Sequence, residues 1–243
     1  MPPVLFEDNH CLVVDKPAGM LAQGDISGDL SLVDWVADYV KVKYQKPGNV
    51  FVGLVHRLDR PTSGVVLLTR TSKAASRLSE QFRLGTVAKT YLAVCEGPVV
   101  DREGVWEDDL FKDQASNTVS IARKGQVGSQ VARVGYQVVF QEANKVGVIL
   151  RPLTGRGHQL RVQLASRGLP IVGDGKYGSK SRLMANDGLP RIALHAARLS
   201  FKHPTKGATC EVQAALPSDW PDAAHAFGAE WTSSSRPEEH PDR

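Results

Sequence analysis

The chain has 243 residues, 42% hydrophobic and 23% charged, with seven histidines and a formal net charge of +4. That is an ordinary globular composition. It excludes a disordered or collagen-like chain, and the length allows one to two domains. Three cysteines, Cys11, Cys95 and Cys210, stand far apart with no CxxC pair and no metal-ligand spacing. Neither a disulfide framework nor a metal site is expected, and a reducing, cytoplasmic setting fits. No apolar run approaches the roughly 18 to 20 residues of a membrane span, and the N-terminus lacks the pattern of a signal peptide.

The elements follow in chain order. Short runs rich in β-branched residues at Cys11–Val14, Val50–Val55, Val65–Thr69, Thr90–Val94, Val131–Phe140, Val146–Leu150, Ala193–Phe201 and Thr209–Ala214 predict strands. Ser31-Leu32-Val33-Asp34 reads as a capping box opening a helix with a Val33, Val36, Val40 stripe. Ser72 is the expected cap of a second helix. Its Ala75, Leu78 and Phe82 repeat at helical spacing, and it stops at Gly85. A third helix is expected over about His158 to Arg167, stopped by Gly168. The insert from Pro98 to Gly128 reads as acidic and irregular, and the polar run from Ala229 to Arg243 as a flexible tail. Few helices interrupting many strands predict an α+β domain over residues 1–228, built on a long mixed, mostly antiparallel sheet.

Charge is distributed unevenly. Residues 57–89 carry seven basic side chains against two acids, a net +5, and residues 151–182 carry seven against Asp174 alone, a net +6. Residues 96–113 carry seven acids against Arg102 and Lys112, a net −5. A basic face for a polyanion and an acidic face turned away from it are expected.

Three segments carry chemistry. His56-Arg57-Leu58-Asp59-Arg60-Pro61-Thr62-Ser63-Gly64 joins two apolar strands by a polar loop whose only acid is Asp59. Function concentrates on loops held by a rigid sheet, although an aspartate in such a turn ordinarily caps it by accepting the Thr62 or Ser63 amide. Thr154-Gly155-Arg156-Gly157-His158-Gln159-Leu160-Arg161 is a glycine-flanked turn opening a helix. His158 and Arg161 then share a face, and the helix start offers amides to an anion. In Lys89-Thr90-Tyr91-Leu92-Ala93-Val94, alternation puts Lys89, Tyr91 and Ala93 on one strand face.

The blocks HRLDRPTSG (56–64), KTYLAVCEG (89–97), TGRGHQLRVQL (154–164) and PIVGDGKYG (170–178) resemble those of the RluA-type RNA pseudouridine synthases. VVDKPAG (13–19) and LHA (194–196) are similar to the family's terminal blocks, so the likeness runs over about residues 5–217. It implies a pseudouridine synthase fold with a central catalytic cleft, and isomerisation of specific uridines in structured ribosomal or transfer RNA. No cofactor or metal is needed. The implied catalytic carboxylate is Asp59, with Arg161 as its basic partner and Tyr91 beside the uracil. Arg57 takes the place of the flipped base, and Arg60, Lys89, Arg156, His158 and Lys176 contact phosphate. His195 is read as structural.

These residue types suit the chemistry. An ionised carboxylate stabilises or traps the positive charge that develops at C1′ when an N-glycosidic bond breaks, and a neighbouring arginine keeps it ionised. A stacked uridine must first be flipped out. The first block begins so early that no separate RNA-binding domain is expected ahead of it, and a monomer is the default. The rival reading is a non-catalytic RNA-binding or chaperone protein on the same fold, against which the Asp59, Tyr91 and Arg161 set stands.

Overall fold

A computed structural model of the chain describes residues 1–98, 101–228 and 231. In order, the elements are β1 (Val4–Glu7), β2 (Cys11–Lys16), α1 (Leu32–Lys43), β3 (Gly53–Leu54), β4 (Ser63–Thr69), α2 (Ser72–Leu84), β5 (Ala88–Glu96), β6 (Glu103–Asp113), β7 (Thr118–Ile121), β8 (Gln130–Glu142), β9 (Lys145–Pro152), α3 (Gln159–Ala165), β10 (Leu194–Lys202) and β11 (Thr209–Gln213). Short 3₁₀ turns cover Gly175–Tyr177 and Asp222–Phe227. The expected α+β class, many strands and few helices, is what forms. The chain divides into two compact units. One comprises Met1–Val87 and Ala196–Ala215; the other comprises Ala88–His195 and a return segment from Leu216 to Trp231.

In the first unit, β2 pairs antiparallel with β1 and with β4, β3 adds to β4, and β11 pairs with β10. Strand β4 is buried along its whole length, which is why its sequence is a continuous apolar run rather than an alternation. Leu5, Cys11, Val13, Val65, Leu67, Leu78, Leu199, Phe201 and Val212 form one core. Gly64 holds φ +118°, and a Cβ there would run into the Ala196 carbonyl of β10. Only glycine tolerates that conformation and that approach.

Helix α1 starts as the sequence predicts. The Ser31 hydroxyl accepts the Asp34 amide, and Asp34 accepts the Ser31 amide at 3.1 Å. Its buried stripe is Leu32, Val36 and Val40, so Leu32 replaces the expected Val33. The cap of α2 is Thr71, not Ser72: the Thr71 hydroxyl accepts the Ala74 amide at 3.3 Å, and Ser72 is the first helical residue. The helix ends on Gly85 at φ +70°, as expected of a left-handed cap.

In the second unit the antiparallel order is β5-β9-β8-β6-β7. The insert expected to be irregular contains β6 and β7, and β6 is an eleven-residue strand. Most of β6 is exposed or half-buried, so it carries no apolar alternation and is set by its ladder to β8. Strand alternation puts Glu103, Glu107, Asp109 and Asp113 on one exposed face of β6. Asp108 pairs with Arg167 at 3.0 Å and accepts from Gln163, and Glu107 pairs with Arg133. The strand expected at Val50–Val55 shrinks to two residues. The expected tail lies outside the described residues except Trp231, which is buried and whose carbonyl accepts the Leu216 amide at 2.7 Å.

Candidate functional site

Asp59 lies on the loop between β3 and β4 and is half-buried. Two contacts fix that loop from residues 16–20. The ammonium of Lys16, fully buried, donates to the carbonyls of Pro17, Met20 and Arg60 at 2.9, 2.8 and 3.2 Å. The Gly19 amide donates to the same Arg60 carbonyl at 2.8 Å. A buried ammonium is tolerated because carbonyl acceptors replace its hydration. Inside the loop, the Thr62 amide donates to the backbone carbonyl of Asp59 at 3.0 Å, so this turn bond uses the main chain rather than the carboxylate. His56 is structural: its Nε2 accepts the Leu67 amide at 2.9 Å and its ring stacks on Phe82 at 4.5 Å.

Arg57 and Arg60 are exposed. Arg60 donates Nε to the Gly19 carbonyl at 2.9 Å and Nη2 to Asp29 at 2.7 Å. Both partners lie at the surface, where an ion pair is worth about 1 kcal/mol or less.

The other expected site residues belong to the second unit. Tyr91 is half-buried on β5, opposite Leu150 of β9. Lys89, two residues earlier, is half-buried, with Nζ 3.4 Å from the Thr154 carbonyl. Burial pushes its pKa below the usual lysine value. Arg161 is buried in α3 and gripped by Asp174 through two bonds, Nε to Oδ2 at 2.7 Å and Nη2 to Oδ1 at 2.8 Å. The Tyr177 ring lies 4.9 Å from its guanidinium carbon. The Tyr177 hydroxyl bonds His158 Nδ1 at 2.6 Å and accepts the Val119 amide of β7 at 3.1 Å.

The structure alters one expectation in this region. Helix α3 has seven residues, and His158 is not its first turn but its N-cap, in the left-handed region at φ +51° with no side-chain capping bond. The amide of Gln159 is already taken by the Arg156 carbonyl at 3.2 Å. Arg156 and Lys176 are exposed, holding the Val131 and Asn117 carbonyls. His195 is buried, with its ring edge-on to Trp220 at 6.0 Å.

Sequence reasoning missed Asp174 and Tyr177 as partners of Arg161. A signal existed: Asp174 is the single acid in a segment with seven bases, and a lone acid among bases is a natural counter-ion. It also missed a cluster in the first unit, where Asp8, Cys11 and His203 bring one ligand-type atom each within 4.8 Å of one another. The donor set does not suit a cation. His203 Nδ1 accepts the Lys206 amide at 3.0 Å, so Nε2 carries the imidazole proton toward Asp8 Oδ2 at 2.7 Å. Lys206 Nζ also lies 3.6 Å from that carboxylate. The cluster is an aspartate–histidine clamp. Burial raises the Cys11 thiol pKa, with Asp8 adding to it.

Residues 10–166 match the family model described as RNA pseudouridylate synthase. The chain is 34% identical over 215 residues to a "Ribosomal large subunit pseudouridine synthase C" of Haemophilus influenzae, covering 88% of this chain and 65% of that protein. It is 32% identical over 227 residues to the "Uncharacterized RNA pseudouridine synthase YhcT" of Bacillus subtilis, covering 92% and 72%. The chain thus spans just under two thirds of the length of the first of these. Among solved structures, "Human RNA Pseudouridylate Synthase Domain Containing 4" superposes with a TM-score of 0.75 at 25% identity, over 93% of this chain and 91% of that one.

Proposed function

The chain belongs to the RNA pseudouridylate synthase family, and from that premise we propose that it isomerises uridine to pseudouridine in RNA, with large-subunit ribosomal RNA as the substrate class. The relatives named for the ribosomal large subunit favour ribosomal over transfer RNA. The observation that carries the reading is the HRLDRPTSG loop, with Asp59 at its centre and the family's 13–19 block clamping it through Lys16 and Gly19.

In the proposed reaction the N1–C1′ bond breaks and its electron pair leaves with uracil. Asp59, ionised, stabilises or traps the positive charge at C1′. The uracil turns, C5 bonds to C1′, the C5 proton departs to solvent and N1 gains one. Tyr91 bears on the ring. Arg161, its guanidinium oriented by Asp174, is the proposed basic partner of the carboxylate chemistry. The exposed Arg57 fills the stack that the flipped uridine vacates, for which a planar guanidinium is suited. Arg60, Arg156, His158 and Lys176 are the proposed RNA contacts. The protein works as a cytoplasmic monomer, and residues 1–228 act as one catalytic domain.

The test is Asp59→Asn on large-subunit ribosomal RNA transcribed in vitro with tritium at uridine C5. Tritium release disappears while filter-binding affinity stays within about tenfold, since the variant keeps the loop's shape. Pseudouridine formed at the wild-type rate by this variant overturns the assignment. Wild-type protein that binds the transcript without releasing tritium favours the non-catalytic RNA-binding reading.

A further inference from the structure

Among the basic side chains of the second unit, Lys89 is set apart by its surroundings. Arg156 and Lys176 sit at the surface with backbone carbonyls as partners, and Arg161 has its carboxylate. Lys89 is half-buried, and among the described residues no acid lies within ion-pair distance of it. Its one hydrogen bond, to the Thr154 carbonyl at 3.4 Å, is at the long limit for such a bond. It shares a face of β5 with Tyr91. Beside its ammonium the Thr154–Gly157 turn is built from glycines with open space: the nearest atom to a Cβ on Gly155 is Lys89 Nζ at 3.9 Å, and a Cβ on Gly157 meets nothing within 4 Å. A partly desolvated cation without a counter-ion opposes folding. The same desolvation makes it a strong electrostatic partner for negative charge that appears beside it.

The proposed reaction creates such a charge. When N1–C1′ breaks, the electron pair delocalises over N1 and the carbonyl oxygens of uracil, and the charge persists until C5 bonds to C1′ and N1 is reprotonated. We infer that Lys89 is a further catalytic residue, its ammonium facing the detached uracil from the Tyr91 side of β5 and offsetting the negative charge of the ring. Lys89 stays protonated throughout, so no proton or electron passes through it. The lowering of its pKa by burial agrees with a site kept apart from bulk water. The inference rests on the pseudouridine reading and deepens it, because it moves Lys89 from a phosphate contact to the reacting base.

The two roles separate experimentally. Lys89→Met and Lys89→Arg are assayed with the C5-tritiated large-subunit ribosomal RNA transcript, by single-turnover rate at saturating enzyme and by filter binding over a salt series, with thermal unfolding as the control for folding. Lys89→Met loses about a hundredfold or more in rate, as expected when a charge-stabilising donor is removed. Its affinity stays within about threefold and its salt dependence is unchanged. Lys89→Arg, which keeps the charge, recovers to within about tenfold of wild type. A rate within about threefold of wild type in a folded Lys89→Met protein overturns the inference. So does weakened binding with a salt slope reduced by about one, the mark of a lost phosphate contact. A wild-type protein that releases no tritium defeats the functional reading itself and the inference with it. An active wild type with an unimpaired Lys89→Met rejects only the role of Lys89.

Discussion

Replacing Asp174 by alanine isolates the energetics of the buried pair. The side chains of Arg161 and Asp174 are 6% and 1% exposed and share two short bonds. A buried guanidinium loses heavily when the carboxylate that binds it through two bonds is removed, and breaking such a pair costs about 3–5 kcal/mol, whereas replacing both members with apolar groups is often neutral. Asp174→Ala therefore destabilises by about 3–5 kcal/mol, equivalent to about 6–20 °C in Tm for a chain of this size. The double variant Asp174→Ala, Arg161→Met recovers most of that loss. Trp106, Trp220 and Trp231 belong to the second unit and Trp35 to the first, so urea unfolding followed by tryptophan fluorescence in a Trp35→Phe background reports on this part of the protein. A cost below about 1 kcal/mol for the single variant, or a double variant no more stable than the single, refutes the reasoning.

Three more outcomes follow from local geometry. Thr71→Ala costs about 1 kcal/mol of unfolding free energy while Ser72→Ala costs a few tenths at most, because only Thr71 caps α2; equal losses from the two would return the cap to the serine. Gly64→Ala combines a strained φ with a collision against the Ala196 carbonyl and costs about 3 kcal/mol or more, read by urea midpoint or by loss of soluble protein. Burial works to raise the Glu7 carboxyl, but hydrogen bonds from Lys43, Tyr44 and Tyr39 outweigh it, so its folded pKa lies below 4.5. Its stabilising share is complete above that pH and disappears as the pH falls through the folded value. Unfolding free energy measured downward from pH about 4.5 therefore falls less steeply in Glu7→Gln than in wild type.

The parts legible in the sequence were those encoded by neighbours in the chain. The Ser31–Asp34 box and the Gly85 cap needed only four residues or one, and both form as read. The α2 start slipped by one because Thr71 and Ser72 are adjacent hydroxyl residues, and which of them leaves the helical backbone is set by the strand before it. Strand β6 escaped notice because its partner β8 begins well beyond it in sequence and its less exposed face carries Gly104, Trp106, Asp108 and Leu110 rather than an apolar series. Helix α3 starts one residue later than its pattern implied, because His158 takes a left-handed backbone, and it ends at Ala165 ahead of the Gly168 stop. The candidate site shows the same division. Asp59, Tyr91 and Arg161 stand out through their motif blocks, and Asp174 was visible only as a lone acid. The three carbonyls around Lys16 have no sequence signature, since any residue offers a carbonyl.

The return of the chain from Leu216 to Trp231 bears on how the protein is made. Strand β10 contributes Leu194 and His195 to the second unit and its remaining residues to the first, β11 completes the first, and the chain then returns to the second. Trp220 and Trp231 are buried there, and Phe227 packs edge-on against Phe140 of β8 at 5.3 Å. A ribosome reading from the amino end must therefore release residues 196–215 before the first unit is whole, and residues 216–231 before the second is. Neither half can finish ahead of the other by more than a few seconds at the usual ~5–20 residues per second of synthesis. Until then the nascent chain exposes apolar surface that the last segments cover, and a stop codon placed just after β11 leaves the second unit without its closing aromatic residues.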